Sequence, residues 1–236
     1  MAADLHIHTA LSPCAAEEMT PPAIVRAARQ AGLTMIAICD HNAAGNTAAV
    51  QAAARGRLAV LAGMEITTAE EVHVLGLFPG PEAAGAVASA VQRTLPAADE
   101  AYYKRFGAQH VMDADGAVTG HEPRMLAMRS TLALSAAVEL IHRHGGLAVA
   151  AHINRPSFSV LSQLGLFPQD AGFDAVEVFA RVAQSTSVGL PVLHSSDSHY
   201  LADVGSVRTM LHVQAPTFDE LRLALRGSGE RAVSCA

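Results

Sequence analysis

Short apolar runs alternate along this chain with longer segments whose apolar residues recur every three or four positions. The run DLHIHTALSPC, residues 4–14, has the look of a strand entering a loop. TPPAIVRAARQAGL predicts a helix with Thr20 as N-cap, prolines in its first turn and Gly32 at its end. TMIAICDHN is an apolar run ending in polar residues, NTAAVQAAARG a second helix closed by Gly56, and LAVLAGMEITT a strand with an acidic residue near its end. EEVHVLGLF predicts another strand, with His73 inside it. Strand following helix in this rhythm predicts a parallel sheet with crossover helices.

Residues 81–131 break the rhythm. An alanine-rich helical stretch leads into YYKRFGAQHVMDADGAVTGHEP, where Asp115-Gly116 sits between two short runs as a hairpin turn would. The stretch reads as a helix-plus-hairpin insertion within a single domain spanning 1–236. Alternation resumes with LSAAVELIHRHGG as helix, LAVAAH and FDAVEVF as strands, LPVLHSSDSHY as strand and loop, and SVRTMLHV as strand. TFDELRLALRG predicts a last helix with a capping box of Thr217 and Glu220 and a stop at Gly227. There is no internal repeat.

Composition narrows the class. Half of the 236 residues are hydrophobic, only 4% are aromatic and tryptophan is absent, which describes a compact core of small side chains. A formal charge of -6 guarantees no basic surface for a nucleic acid backbone, so nucleic acid is not the favoured partner. No apolar run is long enough to span a membrane and no signal-peptide pattern opens the chain, so the expected compartment is the cytoplasm. Cys14, Cys39 and Cys235 are an odd number without close spacing, which argues against a disulfide framework. Twelve histidines are more than a chain of this length needs for packing.

Those histidines fall where chemistry gathers in parallel α/β folds, at strand ends. His6 and His8 stand two apart, so a strand would present both imidazoles on one face. Asp40 and His41, Glu65, His73, His152, and Asp197 with His199 close successive apolar runs. Such residues bind borderline divalent metals, and their repetition at strand ends outweighs the reading of each as a solvated surface residue.

In this order DLHIHT, CDHN, GMEIT followed by VHVLGL, AHINRP and SSDSHY resemble the motifs of the polymerase and histidinol phosphatase, or PHP, superfamily of metal-dependent phosphoesterases. The resemblance runs from residue 4 to about 205, with 80–130 outside it. It implies an α/β fold, a distorted seven-stranded β/α barrel with two or three divalent ions (Zn, Mn or Fe) at the C-terminal ends of the strands. His6, His8, Glu65 and Asp197 would hold one ion, Glu65 would bridge to a second held by His73 and His152, and His41 and His199 would hold a third. Relatives place a further ligand of the third ion where this chain has Pro13 and Cys14. Cys14 is the candidate here, its thiolate favouring a zinc-like ion, with Glu17 or Glu18 as alternatives.

The implied activity is hydrolysis of a phosphate ester, foremost a small phosphomonoester, by metal-activated water, with catalytic roles for Glu65, Asp197 and Arg155. Arg155 would bind phosphate oxygens bidentately, and Arg181 is a weaker candidate for the same task. Competing readings are a nuclease or phosphodiesterase and a non-catalytic metal-binding regulatory domain. Asp40 is placed as a hydrogen-bond partner behind the ligands. His142 and His144 are expected to serve a helix end, His110 and His121 to flank the hairpin, His194 and His212 to lie in strands as core residues or partners behind the ligands, and Cys39 and Cys235 to be structural or incidental.

Overall fold

The computed structural model describes residues 1–179 and 188–235. In chain order its elements are β1 (Ala2–Ile7), α1 (Pro21–Gln30), β2 (Met35–Ile38), α2 (Thr47–Ala54), β3 (Ala59–Thr67), β4 (His73–Phe78), α3 (Pro81–Gln92) and α4 (Glu100–Phe106). They continue with β5 (His110–Met112), β6 (Val118–His121), α5 (Leu134–Arg143), β7 (Leu147–Ala150), α6 (Val160–Leu164), β8 (Ala175–Glu177), β9 (Val192–Leu193), β10 (Thr209–His212), α7 (Phe218–Leu225) and β11 (Ala232–Cys235).

Nine strands form one sheet in the order β11-β10-β1-β2-β3-β4-β7-β8-β9, where the resemblance implied seven. The sheet curls toward closure. Beyond β9, His8 N–H donates to the Ser198 carbonyl and Ser198 N–H to that of His6, tying this segment to β1. Thr209 Oγ1 donates to the His194 carbonyl and accepts from His194 N–H, both at 2.8 Å. The expectation of an all-parallel sheet needs correction: β4 runs antiparallel to both β3 and β7, and β10 runs antiparallel to β1 and β11. The link from β3 to β4 has no room for a crossover helix, so β4 must turn back. His73 therefore begins its strand, and its register opposite Thr67 brings it to the rim where β3 ends.

Side-chain alternation sorts the core. Met35, Ala37, Cys39, Leu61, Leu75, Val149 and Ala175 fill the barrel, with Phe218, Leu221 and Leu225 of α7 packed against them. Outside, α1 and α2 bury Ile24, Ala28 and Val50 against Ile36 and Ile38, while α3 and α5 bury Val87, Val91, Val138 and Ile141 against Met64, Val74 and Phe78. The expected insertion thus contributes its first helix to the main core. Pairing of β1 with β2 shifts register between Asp4 and Ile7. Leu5 packs inside the barrel but Ile7 outside against α1, so this irregularity reorients the strand where its histidines begin.

Several local expectations change. The left-handed residue closing α2 is Arg55, with Gly56 following it in the same conformation. At α7 only half of the capping box forms: Thr217 accepts from Glu220 N–H, while the Glu220 carboxylate accepts from Gln214 N–H and pairs with Arg231. The hairpin forms as β5 and β6, with Gly116 at φ 86° in its turn and His110 opposite His121. No described helix is long and apolar enough to cross a membrane.

Candidate metal centre

Glu65 lies 1% exposed near the end of β3, and histidines from β1 and β4 and from the segments just after β2 and β7 converge on its carboxylate. Hydrogen-bond partners fix how these rings are protonated. His6 Nδ1 lies 3.1 Å from both carboxylate oxygens of Glu177, so that nitrogen carries the proton. His8 Nδ1 lies 2.9 Å from Ser12 Oγ, whose own hydroxyl donates to Asp40 Oδ1 at 2.7 Å, so the serine oxygen accepts from His8. His199 Nδ1 donates to the Asp197 carbonyl and His41 Nδ1 to Glu65 Oε2, both at 2.9 Å. In its neutral form each ring is left with a lone pair on Nε2.

His6 Nε2 and His8 Nε2 then face one another at 3.1 Å. Asp197 Oδ1 lies 3.3 Å from the first and 3.1 Å from the second, with Glu65 oxygens at 3.5 and 3.6 Å. Two lone pairs and two carboxylates cannot satisfy one another by hydrogen bonding, whereas a cation satisfies all four. The donor set therefore fits a divalent ion. Without a cation a proton takes the same space: burial pushes His6 down, but Glu177, Asp197 and Glu65 carry it well above the ordinary histidine range.

On the other side of Glu65, His73 Nδ1 approaches Oε1 at 2.9 Å and His152 Nε2 approaches it at 3.1 Å, the two nitrogens 3.3 Å apart. The carboxylate is thus shared between two histidine clusters. Burial works to raise its pKa, yet His73, His6 and His41 hold it well below the usual carboxylate range. A third group, His8, His41 and His199, has ring nitrogens within 4.8 Å of one another. Cys14 Sγ lies 3.2 Å from His41 Nε2. Burial raises its thiol, but hydrogen bonds with His199 and His41 draw it down to about 6. Cys14, itself exposed like Glu17 and Glu18, is the one that meets His41.

Arg155 Nη1 lies 2.5 Å from Asp197 Oδ2, and its guanidinium sits 4.2 Å from the centre of the Phe179 ring. Its side chain is 29% exposed, so the group remains reachable from outside. His152 and Asp197 both adopt positive φ, at 28° and 50°, a costly conformation for non-glycine residues that concentrates at functional sites. Asp40 accepts from Thr9 N–H, Thr9 Oγ1 and Ser12 Oγ, which places it behind His8 as expected.

Glu177 and Ser12 were missed by the sequence reading. The signal for Glu177 was present: an acidic residue among apolar neighbours in FDAVEVF, two positions after the inward-facing Ala175. Among the histidines left aside, His142 pairs with Asp174 at 2.8 Å and His144 donates to the Leu140 carbonyl at 2.9 Å. Arg181 lies outside the described residues.

A family model described as the PHP domain matches residues 4–161, and a second, described as PHP-associated, matches residues 181–228. The chain belongs to the PHP domain family. No curated protein matches it. Among solved structures, this PHP chain is similar to a lesion-specific endonuclease from Pyrococcus furiosus, at 20% identity and TM-score 0.73, covering 98% of this chain and 57% of that one. It is similar as well to Endonuclease Q in complex with a 27-mer duplex substrate with an abasic lesion at the active site, at 19% identity and TM-score 0.71, covering 98% of this chain and 57% of that one. The PHP chain thus spans little more than half the length of these endonucleases. A candidate metal-dependent phosphoesterase from Bifidobacterium adolescentis matches at 19% identity and TM-score 0.62, covering 96% of both chains.

Proposed function

We propose that this PHP domain hydrolyses a phosphate ester, foremost a small phosphomonoester, with two to three divalent cations held by its histidine clusters. The observation that carries this reading is the pair of Nε2 lone pairs on His6 and His8, 3.1 Å apart and closed in by Glu65 and Asp197. His6, His8, Glu65 and Asp197 hold one ion, Glu65, His73 and His152 a second, and His41, His199 and Cys14 a third. When bound, such ions acidify water and offset the negative charge that develops on phosphoryl oxygens.

The chain's own groups supply positioning. Glu177 and the Ser12–Asp40 pair keep Nδ1 of His6 and His8 protonated, which aims the opposite nitrogens inward. Glu65 turns Oε1 toward His73, His152 and His6 and Oε2 toward His41 and His8, and so ties the histidine groups together. Arg155, kept at the rim by Asp197 and Phe179, donates to phosphoryl oxygens.

Cleavage of a nucleic acid diester is the second reading, supported by the fold shared with an endonuclease bound to abasic DNA. The charge of -6 weighs against it. Hydrolysis of a panel of monoesters and diesters by zinc-loaded and manganese-loaded protein, with chelated protein as control, separates the two. Turnover of monoesters with diesters untouched supports the first reading, and the reverse pattern supports the second.

A further inference from the structure

The loop leaving β7, residues 152–159, brings a second side chain to the rim beside Arg155. Phe158 has φ 57°, in the left-handed region that a bulky residue rarely adopts. Its ring stacks on His73 with centroids 4.7 Å apart and planes 21° from parallel, yet the residue is 42% exposed. The conformation is held from both sides. The Phe158 carbonyl accepts from His73 N–H at 2.9 Å. Ser159 accepts from Ser162 N–H at 3.1 Å and donates to the Arg155 carbonyl at 2.7 Å. The Asn154 amide bonds both the N–H and the carbonyl of Phe179, at 2.7 and 2.9 Å.

Glycine or asparagine would meet this backbone conformation at lower cost, and a polar residue would leave less apolar surface in water. Packing therefore does not account for a phenyl ring here. One face of the ring covers His73, and the residue still keeps 42% of its surface in solvent at the edge of the donor cluster. Strain retained by a surrounding network next to reactive groups is the pattern of a functional side chain.

We infer that Phe158 is a stacking platform for a planar ring carried by the substrate, which makes the ester a nucleotide-type compound whose ring lies a short distance from its phosphate. This rests on the phosphoesterase reading and names the substrate class of the same site. Aromatic side chains bind bases through their π-faces irrespective of sequence, an effect worth about tenfold or more in affinity per base.

The test compares adenosine 5′-monophosphate with ribose 5-phosphate, the same phosphorylated sugar without the ring, using zinc-loaded full-length protein. Phe158→Leu keeps apolar cover over His73 but removes the planar face, and Phe158→Tyr retains that face. The expected result is that Phe158→Leu lowers kcat/KM for adenosine 5′-monophosphate by about tenfold, chiefly through KM. The ratio of kcat/KM for adenosine 5′-monophosphate over that for ribose 5-phosphate should therefore fall about tenfold in Phe158→Leu and hold in Phe158→Tyr. Hydrolysis of both compounds in the same ratio by all three proteins overturns the platform and keeps the ester chemistry. A metal-loaded protein that cleaves neither compound nor a short single-stranded oligonucleotide overturns both.

Discussion

Replacing Glu177 with glutamine isolates what the residue behind His6 contributes. The wild-type carboxylate is buried and accepts from His6 Nδ1–H through both oxygens at 3.1 Å, with one oxygen also taking His152 N–H at 3.2 Å. Glutamine keeps one acceptor oxygen and puts an NH2 group where the other stood. Oε1 alone can still take both donors, but the NH2 group then stands against His6 Nδ1–H, and the ring loses the negative charge that makes Nε2 a strong ligand. Loss of such a partner lowers metal affinity by about tenfold to a hundredfold, or about 1.4–2.8 kcal/mol. Competition with a chromophoric chelator measures the zinc Kd directly. Hydrolysis should return at saturating zinc, because Glu177 touches neither phosphate nor water in this account. An unchanged Kd, or a loss of hydrolysis that saturating zinc does not restore, refutes the tautomer argument.

Glu65→Gln should lose both bound metal and hydrolysis and should not recover at high zinc, since one carboxylate serves two clusters; full metal content by elemental analysis would contradict the shared-ligand assignment. Burial lowers His6 and His41, but facing carboxylates carry both well above their ordinary value of 6.5, so zinc binding should release protons and weaken as the pH falls, measurable by calorimetry in buffers of different ionisation enthalpy. The sign for stability follows: raised folded-state values stabilise the chelated protein below pH 6.5, and that contribution is lost as the pH rises through the raised values, so its Tm should fall there. Alkylation of Cys14 by iodoacetamide in chelated protein should accelerate through a midpoint near about 6, and zinc should suppress it; labelling indifferent to zinc would remove Cys14 from the third group. Gly63→Ala would place a Cβ 2.7 Å from Cys39 Sγ and 2.9 Å from the Ile38 carbonyl, destabilising the protein by about 1–3 kcal/mol in chemical denaturation.

The histidine centre was legible because metal-ligating residue types, rare at any one strand end, recur at His6, His41, His73, His152 and His199 in step with the apolar runs. What escaped reading has physical causes. An alternating strand looks the same in either direction, so HVLGLF gives no sign that β4 turns back, and His73 appears inside a strand rather than at its beginning. AVSC joins the sheet as β11 through antiparallel pairing with β10, a long-range contact that a four-residue segment cannot announce. Helix α6 has five residues and depends on the Ser159–Ser162 capping box more than on any apolar periodicity. Glu177 stands out as an acidic residue among the apolar neighbours of FDAVEVF, but only the meeting of β8 with β1 across the barrel reveals its partner. The exchange of faces between Leu5 and Ile7 depends on the register shift against β2, which composition does not encode.

Under the proposed function, ester hydrolysis depends on cations held by the donors clustered around Glu65. Elemental analysis of the purified chain, paired with hydrolysis assays on one preparation before chelation, after it and after zinc is returned, tests this most directly. Two to three divalent ions per chain are expected, with activity that disappears with the ions and returns with them. A fully loaded protein that cleaves no monoester or diester, or hydrolysis that survives complete removal of metal, would contradict it.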